Sequence, residues 1–300
     1  MATIDTPAKT STGPHAARPP ARRPRPRRGR RLWVKAVVAL LLVVEVYPLI
    51  WMFLTSLKSN DDYLNNSTWS LPTTWEWGNY TDAWTTGHIG LYVQNSLLAV
   101  LPALALMLLL GTAAGFALQI MVWKGRSLTL LVFLAGMMVP PQMILLPLFT
   151  VYFQTGLSGT LWPLILTYTG TGLPLTVFMM ATYYRGVPRE LFEAATVDGA
   201  GILRAFWTIS VPLVRNALLT VGLVQFFFIW NDLLVALTFT NDQDLRTIQV
   251  GLLNFTGDFG ATRYGPLFAA ICINVFGTLL IYLFLNQKVM KGLTSGAVKG

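Results

Sequence analysis

Six stretches of this chain, roughly residues 34–54, 91–114, 128–150, 161–183, 213–237 and 265–286, are long, apolar and almost free of charge. The hydrocarbon core of a bilayer is roughly 30 Å thick and a helix rises about 1.5 Å per residue, so about 20 such residues cross it. Only 12% of the residues are charged, against about 25% in an ordinary soluble domain, too few to clothe a soluble surface. The chain therefore reads as an all-α membrane protein with six transmembrane helices over residues 32–287. The third stretch holds Pro140, Pro141 and Pro147 and is expected to be kinked or broken. Irregular backbone at membrane depth survives only beside protein or a water-filled cavity, which makes this helix a candidate for lining a pathway. The fourth stretch is the least secure, interrupted by Gly170, Gly172 and Pro174.

Charge outside these stretches gives an orientation. Residues 1–31 are rich in Pro, Arg, Ala and Thr and cannot bury a core, so a disordered basic tail is expected. Ten of the 22 Lys and Arg lie in the first 35 residues. With six spans both termini share a side, and every Lys and Arg except Lys58, Arg246 and Arg263 falls on that side. The positive-inside rule places it in the cytoplasm, and the protein in the plasma or inner membrane. The opposite loops carry Asp61, Asp62, Glu76, Asp82, Asp242, Asp244 and Asp258, with Trp69, Trp75, Trp77, Tyr80 and Trp84 beside them. A net charge of +9 is then a matter of topology and attraction to anionic lipid, not of nucleic-acid binding.

Several chemistries are disfavoured. A lone Cys272 excludes a disulfide framework or a cysteine metal site within the chain. Two histidines, His15 and His88, argue against His-based catalysis, and no cluster suits a membrane enzyme. No Gly-Lys is followed by Ser or Thr, so the phosphate-cradling loop is absent and no cofactor is expected on this chain. No internal repeat of the kind common in secondary transporters is evident.

The most informative segment is the connection between the fourth and fifth spans, residues 185–212. From Pro188 it reads PRELFEAATVDGAGILRAFWTISVP. Pro188 suits a first helical turn. Gly199 can take the left-handed conformation that ends a helix. Ile202, Ala205, Phe206 and Ile209 then fall at i, i+3, i+4 and i+7, one face of a second short helix. Pro212 is expected to open the fifth span. The apolar face of so short a loop must pack on the membrane domain or on a partner.

This loop resembles the EAA loop of ABC importer permeases. The residues that match are Glu193, Ala194 and Ala195, then Asp198, Gly199 and Ala200, then Ile209 and Pro212, with Phe206 on the same element. Val211 stands where Leu is usual in the family, and Arg215-Asn216 where a second Pro is frequent. Pro48 to Met52, Ser56 to Lys58, Leu71-Pro72, Asn79-Tyr80, Asn95 to Leu97 and Trp230-Asn231-Asp232 also resemble the family. The C-terminal segment 288–300, with Gly292 to Gly300, is similar to the tails of carbohydrate permeases of the maltose-transporter kind. The resemblance implies a type I ABC importer permease fold. It implies four kinds of partner: a second permease forming a heterodimer, two cytoplasmic ATPases that use ATP and Mg, an extracytoplasmic solute-binding protein and the lipid bilayer. Gly296, Lys299 and Gly300 would contact the ATPase. Glu193 would pair with a basic group there, or else cap or solvate its own short helix. A sugar or oligosaccharide is the favoured cargo.

Neutral, hydroxyl-rich cargo needs paired donors and acceptors. Asn231, Asp232 and Gln225 on the fifth span, with Asn274, Gln142 and Gln94, are candidates for the substrate pathway. Hydrogen bonding between helices is the alternative role for each. Glu45, mid-way along the first span, costs roughly 2.5–3.5 kcal/mol if it faces lipid. It is therefore expected to face protein or water or to be protonated, with a contact to the partner permease and the pathway as its candidate roles. Three other functions remain distinguishable. A permease for a peptide, amino acid or phosphate ester differs only in cargo. An ion-coupled carrier using Glu45 and Asp232 would transport without ATP. A membrane enzyme would need a residue cluster that the sequence lacks.

Overall fold

A computed structural model describes residues 28–256 and 262–297, with side chains over 33–256 and 262–284. Contacts divide the chain into residues 1–49 and 50–300. Helix α1, Arg28–Ser56, runs across that division. Its start at Arg28 places the last residues of the expected tail inside a helix, and its described side chains before residue 50 are almost all exposed.

Within residues 50–300, two short helices, α2 (Asn60–Asn65) and α3 (Gly78–Thr85), precede the long α4 (Ile89–Gln119). The third stretch forms α5 (Arg126–Gly136) and α6 (Pro141–Gln154), bent by 93°. Pro140 has no N–H to continue a helix and restricts the residue before it, so the chain turns there as the prolines foretell. Helix α7 (Trp162–Tyr184) follows, then the connecting loop with α8 (Glu190–Val197), α9 (Ile202–Ala205), a π-helical turn (Phe206–Ser210) and α10 (Val211–Leu213). The chain continues through α11 (Arg215–Trp230), α12 (Leu234–Phe239), α13 (Ile248–Gly251) and α14 (Tyr264–Ala297). Among the described residues four helices are long and apolar enough to span a bilayer, within α1, α4, α7 and α14. Two bent pairs, α5 with α6 and the stretch Ile202–Leu213 with α11, bring the number to six.

Two expectations need correction. The fourth stretch is unbroken. Gly172 lets the Met107 sulfur of α4 lie 2.2 Å from where a β-carbon would stand. Its carbonyl accepts from Gln225 Nε2 and Thr176 Oγ1, both at 2.8 Å, which ties α7 to α11 two residues before Pro174. The fifth stretch, in contrast, is not one helix. Pro212 belongs to α10, a 73° bend at Val214 separates it from α11, and Asn231–Leu233 interrupt the helix again before α12.

The centre of the bundle is the α4–α7 pair. A β-carbon on Gly111 would meet Thr176 Cγ2 at 2.4 Å, and one on Gly115 would meet Met180 Cβ at 2.9 Å. The two glycines form a Gly-x-x-x-Gly face, which lets helix backbones approach closely where no water is present to drive association. Side chains pack on either end of this contact. One cluster holds Tyr92, Met107, Tyr168, Trp230 and Phe255. The other, around Phe116, Tyr184 and Phe206, lies under the connecting loop.

Candidate functional site

Two regions of residues 50–300 concentrate the residues singled out by sequence. The first is the loop. Helix α8 buries Phe192 and Ala195 and exposes Glu193 and Ala194, with Glu190 and Glu193 in its first turn, where negative charge suits the helix dipole. Gly199 has φ +79°, the left-handed conformation expected of it. After it, Ala205 and Phe206 are buried, Ile202 is exposed and Ile209 is half-buried. The regular face expected from i, i+3, i+4 and i+7 is therefore altered. The π turn adds one residue, so Ser210 points inward. The loop thus has two faces. One packs on the ends of α4 and α7. The other presents Glu193, Ala194, Asp198, Leu203 and Val197, the last 88% exposed. A cleft of about 460 Å³ between α4, α8 and α9 is lined by Ile120, Val122, Arg189, Glu193, Ala200 and Ile202.

The second region is a cavity of about 370 Å³ where the two broken helices meet α7, lined by Met137, Pro141, Tyr168, Gln225, Phe228 and Asp232 among others. Asp232 lies in the Asn231–Leu233 interruption. Its Oδ2 accepts from Tyr168 Oη at 3.0 Å and from the Ala236 N–H at 3.1 Å. Asn231 is exposed and donates Nδ2 to the Phe227 carbonyl at 2.9 Å. Gln249 Nε2 reaches the Trp230 carbonyl at 3.3 Å and Asn231 Oδ1 at 3.4 Å. Gln142 is exposed beside Pro141. Gln225 lines the cavity, but its amide nitrogen is engaged by Gly172 and Thr176. Asn274 is buried and accepts from Trp230 Nε1 at 2.9 Å, joining α14 to α11. Of the six pathway candidates, the structure brings Gln225 and Asp232 to the cavity, places Asn231 and Gln142 as sequence neighbours of its lining, uses Asn274 between helices and leaves Gln94 exposed on α4.

Of the C-terminal candidates, Gly296 falls within α14, whereas Lys299 and Gly300 lie outside the described residues. Glu45 is exposed on α1. Among the described residues no group of His, Cys, Asp and Glu could hold a metal.

Residues 107–287 match the family described as binding-protein-dependent transport system inner membrane component. The chain belongs to this family. The match begins at Met107 and includes the loop and the cavity. As a permease of this family the chain is similar, over nearly its whole length, to several named relatives. It is 34% identical over 265 residues to the diacetylchitobiose uptake system permease protein NgcG of Streptomyces coelicolor, covering 88% of this chain and 87% of that protein. It is 33% identical over 269 residues to the probable ABC transporter permease protein YurM of Bacillus subtilis, covering 90% and 88%. It is 30% identical to the melibiose/raffinose/stachyose import permease protein MelC of the same organism, covering 89% and 96%. Its fold is similar to a chain in the crystal structure of a bacterial ABC transporter involved in the import of the acidic polysaccharide alginate. That match has TM-score 0.75 at 19% identity, over 88% of this chain and 99% of that one. The permease fold implied by the sequence is therefore the fold observed.

The permease also uses residues that the sequence reading passed over. Tyr168 orients Asp232, and Tyr184, Ser210 and Arg189 hold the loop. The available signal was tyrosine inside apolar spans, since a buried phenol needs a hydrogen-bond partner.

Proposed function

We propose that this permease forms half of the translocation pathway of an ATP-driven importer for a sugar or oligosaccharide. The observation that carries the proposal is the two-faced loop. A helix, a left-handed Gly199 and a second helix are locked to the bundle on one side and bare on the other. An isolated chain gains nothing from exposing Val197, Leu203 and Trp207 at the end of its spans. An ATPase seated on that face would gain a rigid handle, with Glu193 facing a basic group of the partner. Lys and Arg concentrated at this end support a cytoplasmic placement for it and for both termini. ATP and Mg belong to the ATPase subunits. A second permease completes the pathway, and an extracytoplasmic binding protein delivers the solute.

Sugar is favoured by relatives named for diacetylchitobiose, for melibiose, raffinose and stachyose, and for trehalose and maltose. The cavity chemistry agrees. Asp232, held by Tyr168 and Ala236, brings acceptor oxygens to the cavity wall, and Phe228 supplies an apolar face for a ring. Gln142 and Asn231 are the sequence neighbours of the lining residues Pro141 and Asp232.

The test is uptake of labelled oligosaccharide by proteoliposomes holding the full complex with its binding protein. Glu193→Lys and Gly199→Trp are each expected to abolish ATP-dependent uptake or release the ATPase. The second substitution forces a bulky residue to φ +79°. Normal uptake and assembly in both variants would overturn the coupling role. Uptake of peptides with failure of every oligosaccharide tried would overturn the cargo.

A further inference from the structure

The loop is fastened to the bundle at three points, and one of them has no counterpart in the recognisable motif. Tyr184 closes α7 and is 1% exposed, and Ser210 closes the π turn and is fully buried. Their hydroxyls lie 2.5 Å apart. Around them, Phe116 of α4 meets Tyr184, Phe192 and Phe206 in three T-shaped contacts, with ring centroids 6.0, 5.4 and 5.4 Å apart. Arg189 Nη2 donates at 2.7 Å to the Gln119 carbonyl, satisfying one of the open carbonyls at the end of α4. Helix α8 and the π turn are thus tied to the ends of α4 and α7. The chain then bends by 73° at Val214, buried at φ −94° and ψ 9°, and enters α11. Helix α11 carries Gln225 and Phe228 into the cavity and ends beside Asp232.

We infer that Tyr184 is a positioning residue for transport. Its hydrogen bond to Ser210 welds the loop to the ends of α4 and α7, so that the loop moves with them as one block and the bend at Val214 is where α11 pivots against that block. The π turn is what makes the weld: without its extra residue Ile209, not Ser210, would face Tyr184. The inference rests on the ATP-driven reading above and deepens it. A pull on the outer face of the loop is not spent in flexing the loop. It reaches the cavity through α11.

The experiment uses the complete complex in lipid nanodiscs, in a Cys272→Ala background, with spin labels at pairs of exposed positions. Val122 with Leu213 lies within the block, and Leu213 with Phe228, exposed on α11, straddles the pivot. Trapping the ATPase with ATP and vanadate is expected to leave the first distance unchanged and shift the second. Tyr184→Phe keeps the ring and removes the hydroxyl. It should broaden the Val122–Leu213 distribution and shrink the nucleotide-driven shift across Val214 by about threefold or more, while ATP hydrolysis continues. Ser210→Ala should do the same, and the double variant should be no worse than either alone. A role in stability only would lower the thermal midpoint of Tyr184→Phe and leave both distances as in the parent, which overturns the inference. So does a first distance that moves as much as the second in the parent complex. If the parent shows no nucleotide-driven shift across Val214 while ATP is hydrolysed, the inference falls, whereas the ATP-driven reading beneath it stands or falls with uptake by Glu193→Lys and Gly199→Trp.

Discussion

The loop joint and the cavity are built from similar residue types in opposite ways. Around Phe116 the polar groups are paired with one another inside an aromatic shell, and the buried hydroxyls of Tyr184 and Ser210 satisfy each other. Around Asp232 the helices are broken, Asn231 and Gln142 are exposed, and the carboxylate lines open space. A buried polar group without a partner is costly, so the first arrangement favours a single geometry. The second keeps polar capacity unspent beside a void of about 370 Å³. In a machine that must transmit force at one place and hold and release a solute at another, rigidity and unspent polarity belong in different regions.

The comparison breaks most readily at Phe116. If the joint is a close-packed core, Phe116→Ala empties the centre of three ring contacts and should cost on the order of 3 kcal/mol. The expected result is a large fall in the thermal midpoint of the purified complex, together with loss of transport. A variant as stable as the parent would show that the aromatic shell is loosely packed, and the contrast with the cavity would disappear.

A smaller effect on stability and a clear one on function are expected at the cavity. Tyr168→Phe removes the hydroxyl that holds Asp232 Oδ2 at 3.0 Å and leaves the Ala236 N–H in place. Net stability should change by about 1 kcal/mol or less, whereas the concentration of oligosaccharide needed for half-maximal uptake should rise with the maximal rate little altered. Destabilisation equal to that of Phe116→Ala, with uptake affinity unchanged, would make Asp232 a structural cap and remove it from the pathway.

What the sequence discloses differs between the two regions for a physical reason. The loop is local: Gly199 and the apolar spacing around it lie within some 25 residues, so its helix–turn–helix form is readable there. The break between α5 and α6 is readable too, because proline states its own backbone requirement at Pro140 and Pro141. The Gly111 to Gly115 spacing announces a close helix contact, though only the fold names α7 as the neighbour. The cavity is not local. Tyr168 and Asp232 are 64 residues apart, and nothing in an apolar run says which face a tyrosine takes. The interruption at Asn231–Leu233 is equally silent, since two polar residues in a span fit a helix facing protein as well as a break. The π turn escapes for another reason. One inserted residue leaves the i, i+3, i+4 pattern intact in sequence while turning Ile209 to the rim of the core and Ser210 into it.

The smallest expected effect lies outside both regions and serves as their control. Asp62, next to the buried Lys58, accepts from Asn66 Nδ2 and, at 2.9 Å, from the Thr73 N–H. The Asn66 bond first, and the Thr73 N–H second, hold its carboxyl below the ordinary value of 3.8. The folded protein therefore binds fewer protons here than the unfolded chain does. The stabilisation is present above pH 3.8 and is lost as the pH falls through the depressed value. Asp62→Asn keeps the shape and removes the charge. It should lower the thermal midpoint by about 2 °C or less at neutral pH, and the gap from the parent should close as the pH drops below 3.8. A gap that does not change with pH would mean that packing and not charge is lost at Asp62. A change in nucleotide-driven motion at Val214 in this variant would mean that the outer segment belongs to the moving block, and the division drawn between joint and cavity would have to be redrawn to include it.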